Sequence, residues 1–161
     1  MRILALILVL VVLLAGAFIG YCYYGAQMRI EGVGMALTPA GEAIGTYSGL
    51  LEQLENESFA GVVYHRPDFA TADDFAFLTL AVRMGNRGVL PMDWIELAVQ
   101  PGMADILQLP ADRTPSLAPG TRGDFSTTLL TRAGADTART ITVTYYVMGT
   151  QYSKTFETPA Q

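Results

Sequence analysis

Cysteine occurs once in this 161-residue chain, at Cys22. No disulfide can therefore form within the chain, and no cysteine metal cluster can assemble in it. Histidine and lysine also occur once each, as His65 and Lys154. Hydrolytic nucleophilic catalysis wants a nucleophile, a base within about 3 Å and a group that orients the base. His65, beside Arg66 where a strand gives way to a loop, reads as a surface residue. Lys154 falls in a solvent-facing hairpin with no S-x-x-K partner. The glycines at Gly45 and Gly49 match neither a phosphate-binding loop nor a dinucleotide fingerprint. Positive charge is also scarce: ten Lys and Arg against fifteen Asp and Glu give a net charge of −5. No basic block marks a nucleic-acid site or an electrostatic contact with anionic lipid. Nine of the ten basic residues are arginine, a bias to which we attach no mechanism.

The carboxylates are numerous but scattered. Asp73 and Asp74 are adjacent, Asp68 lies five residues before Asp73, and Asp105, Asp112 and Asp124 fall in what read as separate turns. Calcium needs six to eight oxygens in a compact arrangement, and EF-hand spacing is absent. The expectation is turn carboxylates that satisfy local amides, with a calcium site between interstrand loops as the alternative. The sequence thus yields no catalytic residue, no cofactor and no metal ligand, and predicts a protein that is not an enzyme.

What the chain does have is apolar residues, 51% of the total with only 16% charged, which is too hydrophobic for disorder. Residues 3–24, ILALILVLVVLLAGAFIGYCYY, contain no charge. A helix of that length matches the roughly 30 Å hydrocarbon core, and Tyr21, Tyr23 and Tyr24 cluster where interfacial aromatics belong. Residues 1–27 are expected to be a retained signal-anchor holding the protein in membrane lipid. Cleavage after Ala17, at Ala15-Gly16-Ala17, is the alternative. Arg2 and the α-amine favour a cytoplasmic N-terminus and an extracytoplasmic domain over residues 28–161.

That domain opens with a short glycine-rich strand, Met28 to Leu37. Thr38 and Pro39 have the chemistry of a helix N-cap and first helical residue. Ile44, Tyr47, Leu50, Leu51 and Leu54 recur at helical spacing, which predicts an amphipathic insertion near residues 39–56. Its apolar face must cover the core or meet a partner, so Leu50 and Leu54 are candidate partner-binding residues. Beyond it the period drops to two. Strands are expected at Phe59 to His65, Phe75 to Val82, MDWIELAV, Asp105 to Leu109, from Phe125, and at TITVTYYVM, with a GTQ turn into YSKTFE. About seven short strands without βαβ alternation predict a mainly β fold, a single β-sandwich. Trp94 and Tyr146 fall on nominally outer faces and are candidate binding aromatics. Arg122-Gly123-Asp124 spells a recognition tripeptide. In SLAPGTRGDFSTTLL it reads first as the turn before the strand at Phe125, with Arg122 and Asp124 kept as candidate contacts.

The order FLTLAVRMGNRGVLPMDWIELAV, SLAPGTRGDFSTTLL, ITVTYYVMGTQYSKTFE resembles the LEA14-like, water-stress type β-sandwich. The resemblance covers about Phe75 to Glu157 and rests on the turn at Asn86, the strand start at Pro91, the Leu-x-Pro-Gly turn and the final hairpin. Immunoglobulin-like modules share the pattern. Gly85-Asn86-Arg87 replaces that family's Asn-Pro-Asn, and the helical insertion departs from its core. The resemblance implies a single N-terminal membrane tether and brings no catalytic residues. The reading is a non-catalytic module for binding, scaffolding or envelope stress, with a protein partner. An accessory subunit whose chemistry lies on a partner is the alternative.

Overall fold

The computed structural model describes residues 2–24, 28–65, 71–110 and 116–158. Asp68 and Asp112 lie outside them. The first element, α1 (Arg2–Tyr24), contains a 19-residue apolar span, Ile3–Tyr21, long enough to cross a membrane and with none of its residues buried. The rest is two packed antiparallel sheets. One carries β1 (Met28–Pro39), β3 (Phe75–Asn86), β7 (Arg122–Arg132), β5 (Asp105–Gln108) and β2 (Val62–Val63), in that spatial order. The other carries β6 (Ser116–Leu117), β4 (Met92–Gln100), β8 (Thr140–Val147) and β9 (Thr150–Glu157). β2 and β6 are two-residue pieces, so seven longer strands build the sandwich among the described residues.

Period-two burial explains the core. Ile141, Val143, Tyr145 and Val147 of β8 point inward, as the sequence predicts, and meet Leu78, Leu80, Val82 and Met84 of β3. A second apolar cluster lies around α2 (Ile44–Glu55). Tyr47 and Leu50 pack there with Phe75, Phe77, Ile106 and Leu130, and the Tyr47 and Phe75 rings stack at 5.9 Å. α2 thus lies at the end of the sandwich where β3 begins.

Four expectations change. Thr38 and Pro39 do not start the helix: they extend the ladder, opposite Phe77 and Ala76. Proline is harmless there because β1 is an edge strand, where its missing N–H faces no partner. The helix begins after Ala43, without a side-chain cap. Only Val62–Val63 of the Phe59 to His65 segment pairs, with Gln108 and Leu107. At Gly61 the chain passes so close to the Gln108 carbonyl that no side chain fits. The hairpin turns at Met148-Gly149, both at positive φ, because Val147 already pairs with Thr150. Asp105 is no turn carboxylate but the fully buried first residue of β5.

Candidate functional site

The two ends of the sandwich differ in construction. β1 leaves α1 at Met28, opposite Asn86, so the 87–91 loop, the 118–121 turn and the Met148-Gly149 tip share the end nearest α1. Asn86 ties the first two of these together. Its buried amide donates to the carbonyls of Leu90 and Leu117 at 2.8 and 2.9 Å, while its Oδ1 accepts from the Gly88 N–H at 2.8 Å. Its backbone N–H donates to Thr121 and its carbonyl accepts from Gly120. At the same end an apolar recess of about 320 Å³ opens between Phe18 and Ile19 of α1 and Leu90, Val147, Met148 and Tyr152.

The far end is closed by an ion pair that the sequence did not reveal. Arg139 donates from Nε and Nη2 to both oxygens of Asp105, at 2.7 and 2.6 Å, with both side chains buried. Nη1 donates to the carbonyls of Asp136 and Ala138, and the Gly102 N–H donates to Asp105 Oδ2. Since Asp105 opens β5 and Arg139 precedes β8, the pair bolts one sheet to the other. The only hint in the sequence was an aspartate directly before the apolar run Ile106-Leu107. Nearby, the Tyr64 hydroxyl donates to Gln108, whose amide donates to Thr127. Burial, then the charge of Asp105, pushes the Tyr64 hydroxyl above the usual phenol range. Among the described residues, no three His, Cys, Asp or Glu side chains gather as metal ligands.

The recognition tripeptide is not a loop tip. Arg122, Gly123 and Asp124 are the first three residues of β7, paired with Gly85, Met84 and Arg83. The turn ends earlier, at Pro119-Gly120, where Gly120 has φ 71° and the Thr121 N–H returns to Ala118. Both charges are engaged: Arg83 grips the two oxygens of Asp124 at 2.7 and 3.0 Å, and Arg122 meets Glu31 at 2.7 Å. The hydrogen bond from Arg83 holds the Asp124 carboxyl below the usual carboxylate range. Leu50 is likewise unavailable to a partner, since it is 4% exposed beneath α2, and Leu54 packs half-buried on the same cluster.

Trp94 remains. It is 75% exposed, and its backbone lies at φ 52°. The pairing register explains why. Asp93 faces Tyr146 and Glu96 faces Thr144, so three residue steps on β4 span two on β8. That extra residue is a bulge, and it allows Met92 and Ile95, three apart, both to reach the core. Without it Trp94 would share the inward face with Met92. A left-handed bulge position ordinarily holds glycine, and here it holds the bulkiest side chain in the chain. Tyr146 alternates outward between buried Tyr145 and Val147, on the same outer face of the four-stranded sheet. Tyr145 and Tyr152 stack at 5.6 Å, with Tyr145 in the core and Tyr152 half-buried against it, and are not part of that surface.

No family model matches the chain, and no curated protein matches it. Solved structures similar to it include the GAE domain of yeast GGA1, at 13% identity and TM-score 0.41, over 62% of this chain and 97% of that one. The GAE domain of GGA2p from Saccharomyces cerevisiae is similar at 11% identity and TM-score 0.39, over 63% and 97% of the two chains. A FixG-related protein from Vibrio parahaemolyticus is similar at 12% and 0.38, over 78% and 92%.

Proposed function

We propose that this protein is a membrane-tethered, non-catalytic β-sandwich that binds a protein partner outside the cytoplasm through the outer face of its four-stranded sheet. The observation that carries the reading is Trp94, held exposed in a left-handed backbone conformation that costs about 1–2 kcal/mol for a non-glycine residue. Strain of that kind gathers at binding sites, and tryptophan, with tyrosine and arginine, is enriched among the residues that dominate protein interfaces. Tyr146 on the same face supplies a second amphipathic ring. The candidates that compete with Trp94 are engaged elsewhere: Arg122 and Asp124 in ion pairs, Leu50 in the core.

The tether in this reading is α1, retained, with Arg2 on the cytoplasmic side. The likeness to LEA14-like domains belongs to the same proposal. Asn86 at the turn, the Leu117 to Gly120 turn and the closing hairpin are its supports, together with a single N-terminal apolar helix. The test uses full-length protein purified from detergent-solubilised native membranes, with Trp94→Ala as the matched control. A protein that accompanies the wild type and is missing from the variant is the expected result. Identical sets of co-purifying proteins would overturn the surface assignment.

A further inference from the structure

Only three residues, Gly25, Ala26 and Gln27, separate the last residue of α1 from the first of β1. Four backbone steps reach about 14 Å at full extension, so a membrane-spanning α1 holds the Met28 end of the sandwich against the bilayer. That end is unlike the rest of a chain with net charge −5. Its three tips read Arg-Gly-Val-Leu-Pro (87–91), Ala-Pro-Gly-Thr (118–121) and Met-Gly (148–149), without a single carboxylate. Met148 is 74% exposed and Val89 48%. The nearest strand residues include Arg83 and Arg122, paired with Asp124 and Glu31, together with Arg29 and Asp93, so with Arg87 this end holds four arginines and three carboxylates. The opposite end carries Glu42, Glu52, Glu55, Glu57, Asp73 and Asp74 against Arg132, besides the mutually neutralised Asp105–Arg139 pair.

A second observation gives the depth. The recess brings Leu90, Val147 and Met148 beside Phe18 and Ile19. Those helix residues lie five and six positions before Tyr24, about 7–9 Å down the axis from the tyrosine-marked end. Side chains level with them lie below the headgroups, where an exposed methionine leaves water and gains apolar contact.

We propose that these three tips, two of them held by Asn86, form a lipid-contacting foot: Met148 and Val89 insert into the bilayer's interfacial layer, Arg87 meets lipid phosphate, and acyl chains fill the recess. The occupant is the bilayer that α1 crosses, so the proposal rests on the membrane-tether reading. The foot fixes the height and tilt of the sandwich, and the outer face bearing Trp94 stands beside the membrane.

The test places one indole at a time in a Trp94→Phe background, by Met148→Trp, Val89→Trp or Ile44→Trp, the last at the far end. Each full-length protein is reconstituted into phosphatidylcholine–phosphatidylglycerol vesicles with and without lipids brominated in the upper acyl chain. Flotation with the vesicles, even after alkaline carbonate washing, reports on the tether alone. The foot predicts loss of most emission with brominated lipid for Met148→Trp and Val89→Trp, and none for Ile44→Trp. The loop position keeps the test valid should the strained turn reject the larger side chain. Floating protein with all three indoles unquenched overturns the foot and leaves the tether standing. Protein that fails to float overturns both.

Discussion

Replacing Trp94 separates a binding residue from a structural one, because the structure makes the two costs very different. A fully buried tryptophan removes up to about 250 Å² from water. At 75% exposure Trp94 keeps roughly a quarter of that covered, about 60 Å², or about 1.5 kcal/mol at 25 cal/mol per Å². Against this stands the left-handed backbone at φ 52°, about 1–2 kcal/mol for an ordinary side chain and much less for asparagine. Trp94→Asn gives up the first and relieves most of the second, so its net effect stays within about 1 kcal/mol of the wild type. Trp94→Ala loses the contact and retains the strain, and falls about 1 kcal/mol below the asparagine variant. Phe125, 1% exposed in the same sandwich, sets the scale of a core residue at about 3–5 kcal/mol for Phe125→Ala. Urea unfolding of the full-length protein in micelles, followed by β-sheet circular dichroism, measures all three. The reasoning is refuted if Trp94→Asn costs as much as Phe125→Ala. Tryptophan would then be holding the bulge together and not presenting itself to a partner.

Asn86→Asp removes the buried donor that serves the Leu90 and Leu117 carbonyls and sets an anion facing them, and is expected to cost about 3 kcal/mol or more in the same unfolding assay. Asp105→Asn leaves the Arg139 guanidinium buried without its counter-charge, a loss of about 3–5 kcal/mol; an unchanged midpoint would show that the ion pair is not closing the sandwich. Leu50→Ala, under α2, should cost about 2–5 kcal/mol through lost burial and a cavity, and no loss would mean that the helix does not seal the sheet. The Asp124 carboxyl, lowered by Arg83, contributes stability above its unfolded pKa and loses it as pH falls through the lower folded value. Carbon-detected NMR titration should find its midpoint below that of ordinary aspartates, returning to the usual range in Arg83→Gln.

The parts of this fold legible in the sequence are those set by periodicity within one strand or helix. TITVTYYVM alternates, and β8 buries the alternate residues the pattern indicates. The helical spacing from Ile44 to Leu54 gave α2, although Thr38-Pro39 mimicked a cap. Their place in the ladder depends on Phe77 and Ala76, far along the chain. Pairings between distant residues leave no local trace, so the Asp105–Arg139 bolt is not legible in the sequence and Asp124 reads there as a turn residue. Trp94 was legible as outward-facing but not as strained. The bulge that turns it out follows from Met92 and Ile95 both seeking the core, a conflict that appears only when β4 is set against β8.

The central claim is that a partner meets the protein at Trp94 while α1 lies in the membrane. The most direct measurement puts a photoreactive phenylalanine analogue at position 94, 98 or 44 of the full-length protein and irradiates intact native membranes. Ala98 is exposed farther along the same strand, and Ile44 is exposed at the far end on α2. The account predicts one protein adduct from position 94, weaker or absent at 98 and absent at 44. Equal adducts at all three positions, or none at 94 in protein that remains in the membrane, would contradict it.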